Sequence, residues 1–229
     1  MKTKRIILPT DFSKSARNAS LFAVRLFGTE SVDYTLLHCY AMPHSGADML
    51  ISLIDILRAE SEEGLADERE KLLELYPEIS DHLKTESVNG YLENVLSRMN
   101  RDEEIDLVVM GTTGASGLMK VLWGSTTASV MKRLKAPVLA VPGDLPFKKP
   151  HDISIALEPA QLASFQYPDL LQDIIKANNA RVSLVSVQEE AAAASNKMFK
   201  AAANGEIPIP QNAEPFQVIE KDPIQGITH

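Results

Sequence analysis

The chain has few of the features that mark secreted or membrane proteins. Cys39 is the only cysteine among 229 residues, so no disulfide can form within the chain. Residues 1–7 lead into a strand pattern without an apolar signal segment, and no apolar run reaches the roughly 18 residues of a membrane span. We therefore expect a cytoplasmic protein that neither spans nor binds a membrane.

Positive charge is also scarce. Lys and Arg together number 23 against 31 Asp and Glu, which gives a formal net charge of -8, and no basic block interrupts the sequence. Such a surface repels the phosphates of nucleic acids, so we expect no nucleic-acid partner. A small anionic ligand could still be held locally by backbone dipoles, which do not depend on net charge.

Several enzyme signatures are missing. The sequence contains no Gly-x-x-x-x-Gly-Lys with Ser or Thr, no Gly-x-Ser-x-Gly and no His-Glu-x-x-His. The absence of Gly-x-Gly-x-x-Gly disfavours a Rossmann enzyme that uses NAD or FAD, and the five histidines lack zinc-ligand spacing. We expect no catalytic residue, no metal ligand among the side chains, and at most slow hydrolysis of a bound ligand.

Short apolar runs alternate with longer stretches of helical periodicity, which is typical of an α/β fold built on a parallel sheet. Helices are predicted at residues 13–28, 49–75, 91–100 and 125–134, the first with Ser13 as its N-cap. Strands are predicted at residues 5–9, 34–40, 83–88, 105–110 and 137–141. The pattern predicts an open parallel five-stranded sheet with helices on both faces.

A linker and a second, partial repeat follow. Residues 142–150 contain three prolines and no periodicity, which indicates a domain boundary near residue 148. The opening strand, helix and strand then recur with an offset of about 147 residues, at 153–158, 167–177 and 181–187. We predict two domains, residues 1–147 and an incomplete second repeat at 148–229, in which residues 216–219 are a third strand and the segment 111–141 has no counterpart.

One glycine-rich loop has a spacing suited to phosphate binding. It runs from Gly111 through two residues to Gly114, then through nine residues to Gly124, with Ser125 opening a helix. Glycines let backbone N–H groups approach phosphate oxygens closely. A helix N-terminus adds unpaired N–H donors and partial positive charge. Hydroxyl donors to the phosphates come from Ser125, Thr126 and Thr127.

This loop resembles the nucleotide-binding branch of the universal stress protein family. The resemblance extends to three further segments, residues 6–13, 36–39 and 136–141. It implies a Rossmann-like sheet with strand order 3-2-1-4-5. It also implies that Pro9, Thr10 and Asp11 border the adenosine, the carboxylate accepting bonds from the ribose or lying beside the adenine. Backbone or apolar contacts to the base would come from Cys39 and Met110.

The family resemblance implies a stress-response protein that binds ATP, ADP or AMP as a regulatory ligand, with Mg²⁺ or Mn²⁺ as candidates beside the phosphates. It implies a homodimer paired along the fifth strand, and a protein partner that the sequence does not identify. An alternative is an interaction module with a vestigial nucleotide site that acts only through protein contacts. The tandem pattern leaves two arrangements open, association of two chains or a longer tandem protein.

Overall fold

The computed structural model describes residues 3–41, 50–112, 124–157, 165–188 and 213–219. The chain divides into two compact units, Met1–Phe147 and Lys148–His229. In the first unit the elements are β1 (Lys4–Pro9), α1 (Lys14–Phe27), β2 (Val32–Tyr40), α2 (Leu50–Leu75), a 3₁₀ turn (Pro77–His82), β3 (Leu83–Asn89), α3 (Leu92–Asp102), β4 (Leu107–Gly111), α4 (Ser125–Arg133) and β5 (Val138–Val141).

The five strands form one parallel sheet in the order β3-β2-β1-β4-β5. The predicted α/β fold and its strand order are therefore confirmed. β1 lies at the centre, where Ile7 is opposite Thr35 of β2 and Val108 of β4. Ile6, Ile7 and Leu8 are fully buried, as expected for a strand that is covered on both faces of a parallel sheet.

Helices cover both faces of the sheet. On one face, α3 and α4 pack over a buried cluster that joins them to the central strands: Ile7, Leu37, Leu96, Val108 and Val130. On the other, α1 packs against β4 and β5 while α2 packs against β2 and β3. Small side chains on the buried side of α1, among them Ser15, Ala16 and Ala19, let this helix lie close to the sheet.

A stripe on α2 mixes apolar and polar residues. Ser61, Leu65, Glu68 and Leu72 are all buried, and their spacing places them on one face of the helix. Each polar member has a partner: the Ser61 hydroxyl bonds His38, and the Glu68 carboxylate accepts from Arg17 of α1. The stripe therefore packs against its neighbours without leaving a buried polar side chain unsatisfied.

The fourth strand begins two residues later than its apolar run predicts. Its ladder starts at Leu107 rather than Ile105, because the Ile105 N–H donates to the side chain of Asn100, 3.0 Å away. The Asp106 N–H donates to the Arg5 carbonyl, and the Arg5 N–H donates to the Asp106 carboxylate at 2.8 Å. Two bonds to side chains, those of Asn100 and Asp106, thus take the place of regular sheet hydrogen bonds at this end of β4.

The second unit has a parallel sheet of its own among the described residues. Its elements are β6 (Asp152–Ala156), α5 (Asp169–Asn178), β7 (Arg181–Gln188) and β8 (Ala213–Ile219), with the strands in the order β6-β7-β8. Ile175 of α5 packs with Val182 and Leu184 of β7 to form a small core. Glu158, which the sequence pairs with Asp11, lies outside the described residues.

The ion pair between α1 and α2 gives a test of this packing. Arg17→Met leaves the Glu68 carboxylate, which is only 5% exposed, with Lys71 alone at 3.4 Å. We expect a loss of about 3 kcal/mol in the free energy of unfolding, the lower end of the range for a broken buried pair. Urea denaturation measures it. Arg25→Met, which removes an exposed bond to Tyr76, is the control, and equal losses in both variants would contradict the assignment.

Candidate functional site

A cleft of about 230 Å³ opens at the carboxyl ends of β1 and β4. These neighbouring strands flank the point where the strand order reverses, because the chain moves outward from β1 to β2 and β3 before it returns to β4. Open parallel sheets bind ligands at this position. The described lining residues are Pro9, Asp11, Ser13, Ala16, Leu92, Met110, Gly111, Gly124, Ser125, Thr126 and Thr127.

The lining has two chemically different parts. One part is apolar and comes from the ends of the strands and from two helices: Pro9, Ala16, Leu92 and Met110. The other part carries hydroxyl groups and one carboxylate: Asp11, Ser13, Ser125 and Thr126. A cleft of this kind suits a ligand with a flat apolar end and a polar, anionic end.

Two glycines are required by the close approach of backbone at this cleft. A Cβ built on Gly111 would lie 2.3 Å from the Ser15 Oγ and 2.9 Å from the Ser15 backbone, so α1 meets the end of β4 with no room for a side chain. A Cβ on Gly124 would lie 2.9 Å from the Thr112 carbonyl oxygen, which accepts a 2.8 Å bond from the Gly124 N–H. Both glycines are therefore needed for the close backbone packing that forms the floor of the cleft.

The N-terminus of α4 faces the same cleft. Its N-cap is Gly124, which has no side chain to bond the first N–H groups of the helix, and no acidic residue occupies the first turn. As far as the described residues go, no side chain caps this end of the helix, so its partial positive charge and N–H donors can serve a ligand. Ser125 and Thr126 are exposed there, whereas Thr127 is buried and its hydroxyl donates to the Gly111 carbonyl at 2.9 Å.

The loop between β1 and α1 is held by its own side chains. The Asp11 Oδ1 accepts from the Ser13 N–H at 3.1 Å, and the Ser13 Oγ caps α1 by accepting from the Ala16 N–H at 3.2 Å. The Thr10 Oγ1 accepts from the Phe12 N–H at 2.9 Å. These local bonds satisfy backbone donors that the turn would otherwise leave unpaired.

A polar chain lies beside this loop. The Ser87 hydroxyl donates to the Ser61 hydroxyl at 2.7 Å, and Ser61 lies 2.7 Å from the Nδ1 atom of His38. Ser61 thus bridges Ser87 and the imidazole, which holds the ring of His38 in one orientation. Burial lowers the pKa of His38, and the nearby Asp11 carboxylate opposes that shift without reversing it.

The structure brings together eight of the eleven residues that the sequence singles out, all lining the cleft: Pro9, Asp11, Met110, Gly111, Gly124, Ser125, Thr126 and Thr127. Thr10 and Cys39 are not among the lining residues. Thr10 is buried beneath the loop, and Cys39 packs beside the α3 and α4 cluster, where burial raises the pKa of its thiol to about 12. Gly114 lies outside the described residues.

Three lining residues are not predicted as site residues from the sequence: Ser13, which is predicted only as a helix cap, Ala16 and Leu92. Leu92 opens α3 directly after the Asn89-Gly90 turn, a position that the sequence predicts without indicating which strand end it will face. Ser13 and Ala16 belong to the first turn of α1, which borders the cleft because it follows β1. The rule that ligands bind at the carboxyl ends of strands could have identified this turn.

The described residues form neither a metal-binding cluster nor a membrane-spanning helix. Across the described ranges, no group of three or more His, Cys, Asp or Glu side chains is arranged to hold a metal ion. Within the same ranges, no helix is both long enough and apolar enough to cross a bilayer. Asp11 is the single ionisable side chain among the described lining residues of the cleft.

The His38 environment predicts a pH dependence of stability. Its pKa in the folded protein is below the ordinary value of 6.5, so the unfolded chain binds more protons there as the pH falls through 6.5. The free energy of unfolding should therefore decrease between about pH 7.5 and about pH 5.5, and less steeply in His38→Gln. Urea midpoints at several pH values measure the difference, and parallel curves for the two proteins would rule it out.

Comparisons with known proteins agree on one family. The model of the Universal stress protein family matches residues 2–142. A universal stress protein of Methanocaldococcus jannaschii is 30% identical over 146 residues, which cover 60% of this chain and 81% of the relative. Among solved structures, universal stress protein UspA from Lactobacillus plantarum has a TM-score of 0.53 at 24% identity, covering 62% of this chain and 99% of that one. A universal stress protein from Archaeoglobus fulgidus has a TM-score of 0.60 at 19% identity, covering 99% and 82%.

Proposed function

Because the chain belongs to the universal stress protein family, we propose that it is a stress-response protein that binds ATP or a related adenine nucleotide in the cleft between β1 and β4. The observation that carries this proposal is the pairing, in one cleft, of an apolar wall with an uncapped helix N-terminus. The apolar wall suits an adenine ring, and the helix N-terminus favours the binding of phosphates.

The adenosine end of the ligand fits the side of the cleft formed by β1 and α3. Pro9, Leu92 and Met110 offer apolar surface to the base. Asp11 is the carboxylate available to the ribose, since two vicinal hydroxyls can donate to the oxygens that Ser13 leaves free. Thr10 contributes by holding the backbone of this loop in place rather than by facing the cleft.

The phosphate end fits the N-terminus of α4. Gly111 and Gly124 allow the close backbone packing that forms the floor of the cleft there, and the exposed hydroxyls of Ser125 and Thr126 lie in the first turn of the helix. No basic side chain lies among the described lining residues, so backbone N–H groups and the helix dipole supply the favourable electrostatics in this part of the cleft. A Mg²⁺ or Mn²⁺ ion would enter with the phosphates and offset their charge, and Asp11 is the one carboxylate among the described lining residues.

We assign the nucleotide a regulatory role, with at most slow hydrolysis. Asp11 is the one ionisable group on the described lining; its Oδ1 accepts from the Ser13 N–H, and its remaining acceptor sites are the ones assigned to the ribose. A general base would need a side chain within reach of the attacking water and free to accept its proton. Bound nucleotide would instead change the surface of the protein around Gly111 and Ser125, which a protein partner can recognise.

The test separates the two ends of the ligand. Calorimetric titration compares adenosine, AMP and ATP on the wild type, on Asp11→Asn and on Ser125→Ala. Asp11→Asn keeps the acceptor for the Ser13 N–H but removes a charged hydrogen-bond partner, so affinity for all three ligands should fall roughly tenfold or more. Ser125→Ala should weaken AMP and ATP, and leave adenosine unchanged.

Asp33→Asn is the matched control, because Asp33 lies on β2 where it bonds His82, away from the described lining of the cleft. It should bind as the wild type does. No heat from any ligand at high protein concentration would reject nucleotide binding and favour the alternative of an interaction module. Equal losses in the Asp33 and Asp11 variants would reject the role of Asp11.

The second unit, we propose, is a further copy of the opening part of the first. Both contain a strand, a helix and a parallel strand in sequence, and β6-β7-β8 matches the order of β1-β2-β3. The pairing offset is also similar: Lys4 is opposite Val32, a separation of 28 residues, and Asp152 is opposite Arg181, a separation of 29. The function that we assign to it is to support the nucleotide-binding unit.

We also propose a homodimer in the cytoplasm, formed along β5. This strand ends the five-stranded sheet, so one of its edges has no neighbour in that sheet. An unpaired edge favours association with a second strand, and two copies meeting there would be related by a two-fold axis. Light scattering at tens of micromolar protein should give twice the mass of the chain; a strict monomer at these concentrations would exclude the dimer.

A further inference from the structure

The backbone of Phe12 adopts a conformation that bulky residues rarely adopt. Its φ angle is +63°, in the left-handed region, where an aromatic side chain is disfavoured sterically. Phe12 directly follows Asp11 of the cleft, and its N–H is held by the Thr10 hydroxyl. Such a conformation persists only where the surrounding structure maintains it. The contacts of the Phe12 ring therefore bear on the geometry of the neighbouring cleft residue.

The ring is held between a strand and a helix. Its centroid is 4.4 Å from that of the His38 imidazole, with an interplanar angle of 34°. Toward α2, a Cβ built on Gly64 would lie 2.5, 2.7 and 2.8 Å from three atoms of the ring. The ring occupies the space that any side chain at position 64 would need. This explains a glycine in the interior of a 26-residue helix, where alanine would otherwise be favoured.

The same helix fixes His38. Ser61 lies three residues before Gly64 and bonds the imidazole Nδ1 at 2.7 Å, and residues at this spacing share a helix face. Ser87 of β3 bonds Ser61 from the other side. Helix α2 thus contacts both rings of the aromatic pair. Ser61 bonds the His38 imidazole, and the Phe12 ring packs against Gly64, where there is no side chain. We call Phe12, His38 and Gly64 the Phe12 stack.

We propose that Phe12 is a positioning residue for the nucleotide site: the Phe12 stack anchors residue 12 on α2 and thereby holds the Asp11 carboxylate toward the ribose. The proposal rests on the proposed function. Phe12 does not line the cleft, so it acts on the ligand through its neighbour. Helix α2 gains an influence on nucleotide affinity although none of its described residues lines the cleft.

Gly64→Ala tests the proposal without replacing a residue that lines the cleft. The added methyl group displaces the ring, because three ring atoms lie within 3 Å of it. The affinity for adenosine, measured by calorimetry, should fall roughly tenfold, as for the loss of one charged hydrogen bond. Phe12→Leu, which keeps an apolar residue but removes the ring, should act in the same direction and guards against misfolding of the first variant. Glu63→Ala, at the exposed neighbour of Gly64, should bind as the wild type does.

A double-mutant cycle separates positioning from general destabilisation. If Phe12 acts through Asp11, then Gly64→Ala should cost little further affinity in the Asp11→Asn background, since coupled residues are not additive. A second readout needs no ligand: the ring current of Phe12 shifts the imidazole protons of His38, and their NMR resonances should move in Gly64→Ala. Urea midpoints of each variant are recorded alongside.

Three outcomes would overturn the proposal. The first is unchanged adenosine affinity in Gly64→Ala although the His38 resonances have moved. The second is an equal loss in the wild-type and Asp11→Asn backgrounds. The third is unchanged His38 resonances, which would show that the stack does not exist in solution. A wild type that binds no adenosine would instead reject the proposed function itself, and it is measured first so that the two failures are distinguished.

Discussion

The position of β1 between β2 and β4 is the constraint from which the rest of the first unit follows. A central parallel strand is covered on both faces, so Ile6, Ile7 and Leu8 are apolar and fully buried. Polar side chains follow only where the strand ends, at Thr10 and Asp11. The Thr10 N–H still donates to the Leu37 carbonyl, which extends the sheet one residue further and sets the point at which the chain leaves it. The cleft is the space left where the chain turns away from β1 and β4 in different directions.

The electrostatics of this cleft differ from those of a basic phosphate pocket. The chain carries a net charge of -8, and the described lining includes a carboxylate and no cation. Anion binding then depends on backbone donors, which require that backbone and ligand approach closely. The contacts of Ser15 with Gly111 and of Thr112 with Gly124 hold the backbone segments of the cleft floor close together, and the N-terminus of α4 directs its N–H groups to the same place.

The sequence predicts the sheet well because its signals are local: apolar runs for strands, Ser13 as a cap, and a glycine loop between β4 and α4. The order of the strands comes from family resemblance, since pairing depends on contacts distant in sequence. The lining of the cleft also depends on contacts between residues distant in sequence, so the sequence predicts only part of it. Asp11 and Ser125 follow strand ends that the pattern identifies, whereas Leu92 faces the cleft only because α3 packs on the sheet. The residue type of Phe12 gives no indication of its left-handed backbone, and the space that its ring occupies depends on Gly64, 52 residues away.

Helix α2 shows why polar residues are placed on a buried stripe. Leu65 and Leu72 stabilise the packing of the helix by burying apolar surface. Such apolar contacts tolerate small shifts of a helix along its axis or around it. Ser61, Gly64 and Glu68 do not, because each makes a specific contact with another element: a hydrogen bond to His38, the ring of Phe12 and the guanidinium of Arg17. A one-residue change of register would leave a carboxylate buried without its cation and drive a side chain into the ring. These three contacts therefore specify the rotation of α2 on the sheet, and through it the loop that carries Asp11.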